Sequence, residues 1–235
     1  MAERPAATAR GLFVAGTDTG VGKTLAACAL LHGFAGLGLR TVGMKPVAAG
    51  AKLRRGAWHN DDVAQLQAAS SVEVAARAIN PYCFAPPIAP HVAAAEAGAA
   101  IRMSTITACY RRLARDTDIV VVEGVGGLLV PLGRRNCAAD IPRRLRLPVV
   151  LVVGLRLGCL NHALLTVDAM QHRGLEFAGW IANHVDPQML RRAQNLDALR
   201  ERLAAPLLGV LRHARDPRPE RLSRTLDINT LNARI

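Results

Sequence analysis

Lysine is almost missing from this chain. Of 30 basic residues only three are lysines, Lys23, Lys45 and Lys52, and 27 are arginines. Aromatic residues are scarce, at 3% of 235 residues. No apolar run approaches the roughly 20 residues that cross a bilayer. The longest of any weight is V-V-L-V-V-G-L, Val149 to Leu155, so no transmembrane helix and no membrane partner are expected. The opening M-A-E-R-P-A-A-T-A-R has no apolar stretch of the secretory kind, so no such signal is expected. The five cysteines, Cys28, Cys83, Cys109, Cys137 and Cys159, are odd in number and include no C-x-x-C. That spacing argues against a disulfide framework and a zinc site, and a reducing cytoplasm is the expected location. The seven histidines show no metal-ligand spacing such as H-E-x-x-H.

What is abundant is arginine, and with it a formal net charge of +12. Such an excess invites a nucleic-acid reading. Yet the arginines are scattered from Arg4 to Arg234, in pairs at most. No basic run of five to eight residues exists, and few aromatics are present to stack on bases. No nucleic-acid partner is expected; the excess reads as compositional bias. Against that background a lysine marks a place that calls for a compact ammonium.

Hydrophobic residues make up 51% of the chain, enough for one sizeable core. A single domain over residues 1–235 is expected, with residues 1–10 as a flexible tail. Apolar runs at 12–15, 41–45, 119–123, 149–153, 179–183 and 207–210 read as strands. They are apolar throughout rather than alternating, as strands covered on both faces are. Ala- and Leu-rich segments at 25–34, 61–69, 104–115, 161–172 and 187–203 read as helices. The fold class expected is α/β, a parallel β-sheet flanked by helices on both faces. Residues 81–90 and the tail after Arg212 read as irregular, and either could be a loop over a site.

The strongest local signal is G-T-D-T-G-V-G-K-T, Gly16 to Thr24. It stands after a strand and before a helix, where a phosphate loop belongs. Gly22 lets the backbone approach phosphate oxygens. The amides at the helix start point into the anion, and the helix dipole adds partial positive charge. Lys23 can reach the β- and γ-phosphates, and the Thr24 hydroxyl can ligate Mg²⁺. The usual pattern has Gly six residues before the Lys, where Thr17 stands here. The ordinary alternative is a Gly-rich turn that caps a helix and binds nothing. Glu123 ends an apolar strand, where a carboxylate faces the ligand crevice of a parallel sheet. Burial there calls for a cation, or else a helix N-cap contact. Asp62 reads as a second metal ligand or as an ordinary acidic residue in a first helical turn. Lys45 closes the second strand and points at the same crevice, unless it is a surface lysine.

Together these residues resemble the dethiobiotin synthetases. The motifs are G-T-D-T-G-V-G-K-T at Gly16, K-P-V-A at Lys45, N-P-Y-C-F-A-P-P-I-A-P-H at Asn80 and V-E-G-V-G-G at Val122. They continue with L-P-V-V-L-V-V-G at Leu147, L-G-C-L-N-H at Leu157, G-W-I-A-N at Gly179 and A-P-L-L-G at Ala205. The resemblance implies a P-loop NTPase-like fold. It also implies ATP-dependent conversion of 7,8-diaminononanoate and CO₂ into dethiobiotin, with ADP and phosphate released, through an N-carbamate and a carbamic–phosphoric mixed anhydride. It makes Lys45 the catalytic lysine, with Lys23 and Thr19 beside it. Thr24, Asp62 and Glu123 become the Mg²⁺ ligands. Nucleotide contacts fall to Thr19, Gly20, Val21, Gly22, Lys23, Thr24, Asp62, Glu123, Gly124, Val125, Gly126, Asn183, His184 and Arg212, with Asn183 reading the base. Substrate contacts fall to Lys45, Ala49, Pro87, Glu123 and Gly126. The family is a homodimer, so Leu157, Gly158, Cys159, Leu160 and Asn161 of one subunit are expected to hold the substrate carboxylate in the other, Cys159 through its backbone N–H. Three positions depart from the pattern. Ala49 replaces a hydroxyl residue, Gly20 replaces a Glu found in some members, and Arg212 replaces an expected Pro. A partitioning-type P-loop ATPase shares the first motif but has no need of the L-G-C-L-N-H and P-P-I-A-P-H segments. A paralogue that binds nucleotide without turnover is the other alternative, raised by Ala49.

Overall fold

The computed structural model describes residues 10–54 and 56–235. In chain order the elements begin with β1 (Arg10–Gly16), α1 (Lys23–Gly36), β2 (Thr41–Met44), β3 (Val47–Ala49), β4 (Lys52–Arg54), β5 (Ala57–His59), α2 (Asp61–Ala69) and α3 (Ala76–Ile79). Next come β6 (Tyr82–Phe84), α4 (Pro90–Glu96), α5 (Met103–Leu113), β7 (Ile119–Glu123), α6 (Asp140–Leu145), β8 (Val149–Gly154) and α7 (Cys159–His172). The chain finishes with β9 (Phe177–Asn183), α8 (Arg192–Arg202), β10 (Leu207–Leu211), α9 (Pro219–Leu222), a 3₁₀ turn at Ser223–Thr225 and α10 (Ile228–Asn232).

Six strands form one sheet in the order β10-β9-β8-β1-β7-β2, and every pairing is parallel. Parallel neighbours need long crossovers, and helices supply them. Because side chains alternate along a strand, β1 feeds two cores. Phe13 and Ala15 pack with Val120, Val122, Leu151, Val153 and Trp180 on one face. Leu12 and Val14 pack with Val121, Val150, Val152 and helix α1 on the other. All residues of β7 and β8 are buried, which is why those strands read as unbroken apolar runs. Helix α1 lies between the sheet and the C-terminal segment, with Ala26 to Leu31 and Phe34 all buried. A helix covered on several sides has no need of a polar face.

Some expectations are corrected. Tyr82–Phe84, read as irregular, forms β6 and pairs in parallel with β3, apart from the main sheet. Helix α8 begins at Arg192 rather than at residue 187. The Asp186 carboxylate accepts from the Gln188 N–H in a tight turn, and Arg191 takes a left-handed conformation that stops a helix from starting earlier. From Arg212 the tail is exposed without a break to residue 218. Beyond that it packs on α1, where Ile228 meets Gly33, and Leu226 and Leu231 are buried. From Leu222 onward it is a core-covering segment. Arg10 opens β1; the rest of the tail expected over residues 1–10 lies outside the described residues. No helix among the described residues is long and apolar enough to cross a membrane.

Candidate active site

Because all six strands point the same way, their C-terminal ends share one edge of the sheet. There the chain delivers the phosphate loop after β1, Lys45 after β2, Glu123 at the end of β7, Arg156 after β8 and Asn183 at the end of β9. A cavity of about 720 Å³ opens at this edge. Thr19, Gly20, Gly22, Lys23, Thr24, Lys45, Ala49, Asp62, Pro87, Glu123, Val125 and Gly126, all expected at the site, line it. The segment Ile88–Pro90, with Val130 and Pro131, completes the wall.

The loop is shaped for close approach. Gly22 caps α1 with φ 86°, a left-handed conformation that favours glycine. A Cβ there would run into the Asn183 side chain. Asn183 is buried below the loop and donates from Nδ2 to the Val21 carbonyl at 2.9 Å. One of its amide hydrogens is thus committed to the loop, and it is not among the residues that line this cavity. The Lys23 ammonium donates to the Asp18 carbonyl at 2.8 Å. Burial first, and then the nearby Lys45 charge, lower its pKa to about 8.

The charge centre of the site is a trio. The Lys45 ammonium, 4% exposed, lies 2.8 Å from Asp62 Oδ2 and bonds Glu123 Oε1 as well. Thr24 donates its hydroxyl hydrogen to the same Glu123 oxygen at 2.9 Å. Two carboxylates thus share one ammonium. Burial, helped by the Asp62 charge, pushes the Glu123 carboxyl above the usual range, against the pull of Lys45 and Thr24. Burial also works against the charge on Lys45, but Glu123 and Asp62 outweigh it and hold its pKa above the ordinary value. Asp62 pays a burial penalty too, yet Lys45, Thr24 and Lys23 hold it below the usual range.

The donor set suits a divalent cation. Glu123 Oε2 is buried and has no hydrogen-bond partner, and the trio is one positive charge short. Among the described residues no group of three or more His, Cys, Asp or Glu side chains could hold a metal. Mg²⁺ does not require one: one or two carboxylates, a hydroxyl and substrate phosphates serve it.

Several residues that act here were assigned no role from the sequence. Asn60 caps α2, accepting from the N–H of Asp62 at 3.1 Å and of Val63 at 3.2 Å, while its Nδ2 donates to the Ala49 carbonyl. The Arg156 guanidinium pairs with the Asp18 carboxylate across 138 residues of sequence. Only the Asn-before-helix pattern ahead of Asp61 signalled any of these in advance.

Other expected residues lie outside the cavity. Val21 is buried beneath the loop and Gly124 is buried at the end of β7. His184 follows β9, with Arg192 3.3 Å from its Nδ1, and burial, Arg192 and Arg212 lower its pKa. Arg212 is exposed after β10. Leu157–Asn161 does not line this chain's cavity: Leu157 is 95% exposed, while Cys159 is buried. The Cys159 N–H, expected to meet a carboxylate, donates instead to the Arg156 carbonyl at 3.0 Å. The amides of Leu160 and Asn161 are the ones left open, as expected in the first turn of a helix.

A family model described as an AAA domain matches residues 10–221. The ATP-dependent dethiobiotin synthetase BioD of Aromatoleum aromaticum is 54% identical over 217 residues, covering 92% of this chain and 96% of that protein. Among solved structures, the septum site-determining protein MinD of Pyrococcus horikoshii, complexed with Mg-ADP, matches with a TM-score of 0.59 at 14% identity. That match covers 96% of this chain and 95% of the other. At so low an identity the likeness shows the fold, a P-loop architecture, and nothing more.

Proposed function

The chain belongs to the dethiobiotin synthetase family, ATP-dependent ligases of biotin biosynthesis, and on that premise we propose how its cavity joins 7,8-diaminononanoate to CO₂. One substrate amine captures CO₂ as a carbamate and loses a proton. A carbamate oxygen attacks the γ-phosphorus, and the bond to the β,γ-bridging oxygen breaks, releasing ADP. The second amine attacks the carbonyl carbon of the mixed anhydride. Phosphate leaves, a proton is lost and the cyclic urea closes.

Phosphoryl transfer of this kind needs positioning and charge neutralisation more than covalent help. Lys23 and the amides of Gly22, Lys23 and Thr24 hold the triphosphate, with Gly20 and Val21 shaping the loop. The Lys45 ammonium neutralises the carbamate and the transferring phosphoryl group. For that it exchanges one of its carboxylate partners for the substrate. Thr19 stands near the carbamate, with its Oγ1 about 3.5 Å from where a Cβ on Gly126 would sit. Ala49 and Pro87 form the wall along the aliphatic chain. Asn183, His184 and Arg212, at the ends of β9 and β10, take the base side. Val125 borders the phosphates, with Gly124 buried behind it. Thr24, Asp62 and Glu123 would hold Mg²⁺, which when bound neutralises charge on phosphate oxygens.

A second copy of the chain is the proposed partner. The exposed Leu129, Leu157, Leu164 and Leu165, on and beside α7, offer it an apolar face. The open amides of Leu160 and Asn161 suit a substrate carboxylate in the neighbouring site. Five free cysteines and a small-molecule reaction are in keeping with the cytoplasm.

The observation that carries this reading is the shared cavity. Lys45 touches Glu123 and Asp62 there, with the phosphate loop on one side and Ala49 and Pro87 on the other. Purified protein given diaminononanoate, bicarbonate, Mg²⁺ and ATP tests it by mass spectrometry. The cyclic urea is expected to accumulate with ADP. Nucleotide binding or hydrolysis with no urea overturns the reading.

A further inference from the structure

Lys45 leaves an unusual place in the sheet. β2 is an edge strand and ends at Met44, and Pro46 follows, which has no N–H to continue a ladder. The main chain of Lys45 is nonetheless pinned on both sides. Its N–H donates to the Ile79 carbonyl at 2.9 Å. Its carbonyl accepts from Asn80 Nδ2 at 2.6 Å. The same nitrogen donates to the Tyr82 carbonyl at 3.0 Å. Both hydrogens of the Asn80 amide are therefore spent on carbonyls of two separate segments.

Those segments have distinct tasks. One carries the lysine. The other begins β6, which pairs with β3 in the register Val47 opposite Tyr82 and Ala49 opposite Phe84. β3 ends at Ala49 and β6 runs on towards Pro87, and both residues line the cavity. The Gly50 N–H donates to the Pro86 carbonyl at 3.2 Å, closing the far end of the pair. Asn80 thus stands at the foot of the substrate wall and ties it to the lysine's backbone.

We infer that Asn80 is a positioning residue that fixes Lys45 in register with the diamine-binding wall. The inference rests on the reading of Lys45 as the catalytic ammonium. With its main chain pinned, the ammonium moves between its carboxylates and the substrate by side-chain rotation alone. Without Asn80 the β2 exit can shift, and a displacement near 1 Å is enough to cost a reaction about a hundredfold.

Asn80→Asp keeps the size of the side chain, removes both donors and sets oxygen against two carbonyls. The expected result is a fall in kcat of roughly ten- to a hundredfold, while the nucleotide Kd and the KM for diaminononanoate change by less than about twofold. Asn80→Ser retains one donor and shows the same pattern with a smaller loss, so it carries the test if the Asp variant does not fold. Unchanged kcat in the folded variants overturns the inference. So does weakened nucleotide and diamine binding with kcat preserved, since that marks a purely structural role. Lys45→Gln is assayed beside them. If it keeps its turnover, the reading of Lys45 fails, whatever Asn80 does. If it is inactive while Asn80→Asp is normal, only the role of Asn80 falls.

Discussion

Lys23 and Lys45 reach the same cavity but are held by different partners, a main-chain carbonyl for one and two carboxylates for the other. In the proposed mechanism that difference separates binding from chemistry. Lys45→Gln removes a charge from the reacting side and leaves Lys23 and the loop amides in place. Product formation is expected to fall by at least about a hundredfold, as when a transition-state charge stabiliser is lost, with nucleotide affinity nearly unchanged. A ligase assay alongside a nucleotide titration checks both halves, and near-normal turnover contradicts the role. Lys45 and Glu123 could be read from the sequence because a charged residue closing an apolar strand must face the crevice. Asn80 and Arg156 could not. They work through main-chain groups or through partners far away in the chain, as the 138 residues between Asp18 and Arg156 illustrate.

Helix α2 shows how an element places Asp62, a proposed metal ligand. Its first turn carries Asp62, and Asn60 fixes that turn by accepting two of its open amides. Asn60→Ala is expected to cost about 1 kcal/mol, in line with other lost N-caps, and chemical denaturation measures it. A change of only a few tenths, within the ordinary range for surface substitutions, contradicts the cap's importance. The six main strands and the long helices were legible because burial on two faces and Ala- and Leu-rich composition leave strong patterns. β3 and β6 were not, since three residues are too few for a period and Pro86, Pro87 and Pro90 obscured them. The α8 start was misplaced because the turn at Asp186–Arg191 depends on backbone conformation. The segment after Arg212 read as irregular, a candidate loop over a site. Of its buried positions, Ile228 and Leu231 lie in the short helix α10 and Leu226 stands just before it, bridged to Gly209, and only packing on α1 reveals them.

At the scale of the whole molecule, one parallel sheet gathers groups from distant parts of the chain at a single edge. A fold of this kind does not by itself assign a reaction. In the proposed function it is specialised by the pairing of a phosphate loop with Lys45 and a wall carrying Ala49 and Pro87, which line one cavity. None of the arginines behind the +12 charge is buried among the described residues, whereas the cavity gathers two carboxylates and two ammonium groups. The fate of the carbamate oxygen tests this account most directly. If that oxygen attacks the γ-phosphorus and the second amine later breaks its bond to carbon, it must leave with phosphate. In a single turnover with ¹⁸O-labelled CO₂, one labelled oxygen is expected in the inorganic phosphate for each cyclic urea formed. Phosphate free of label, alongside urea formed at the normal rate, would contradict it.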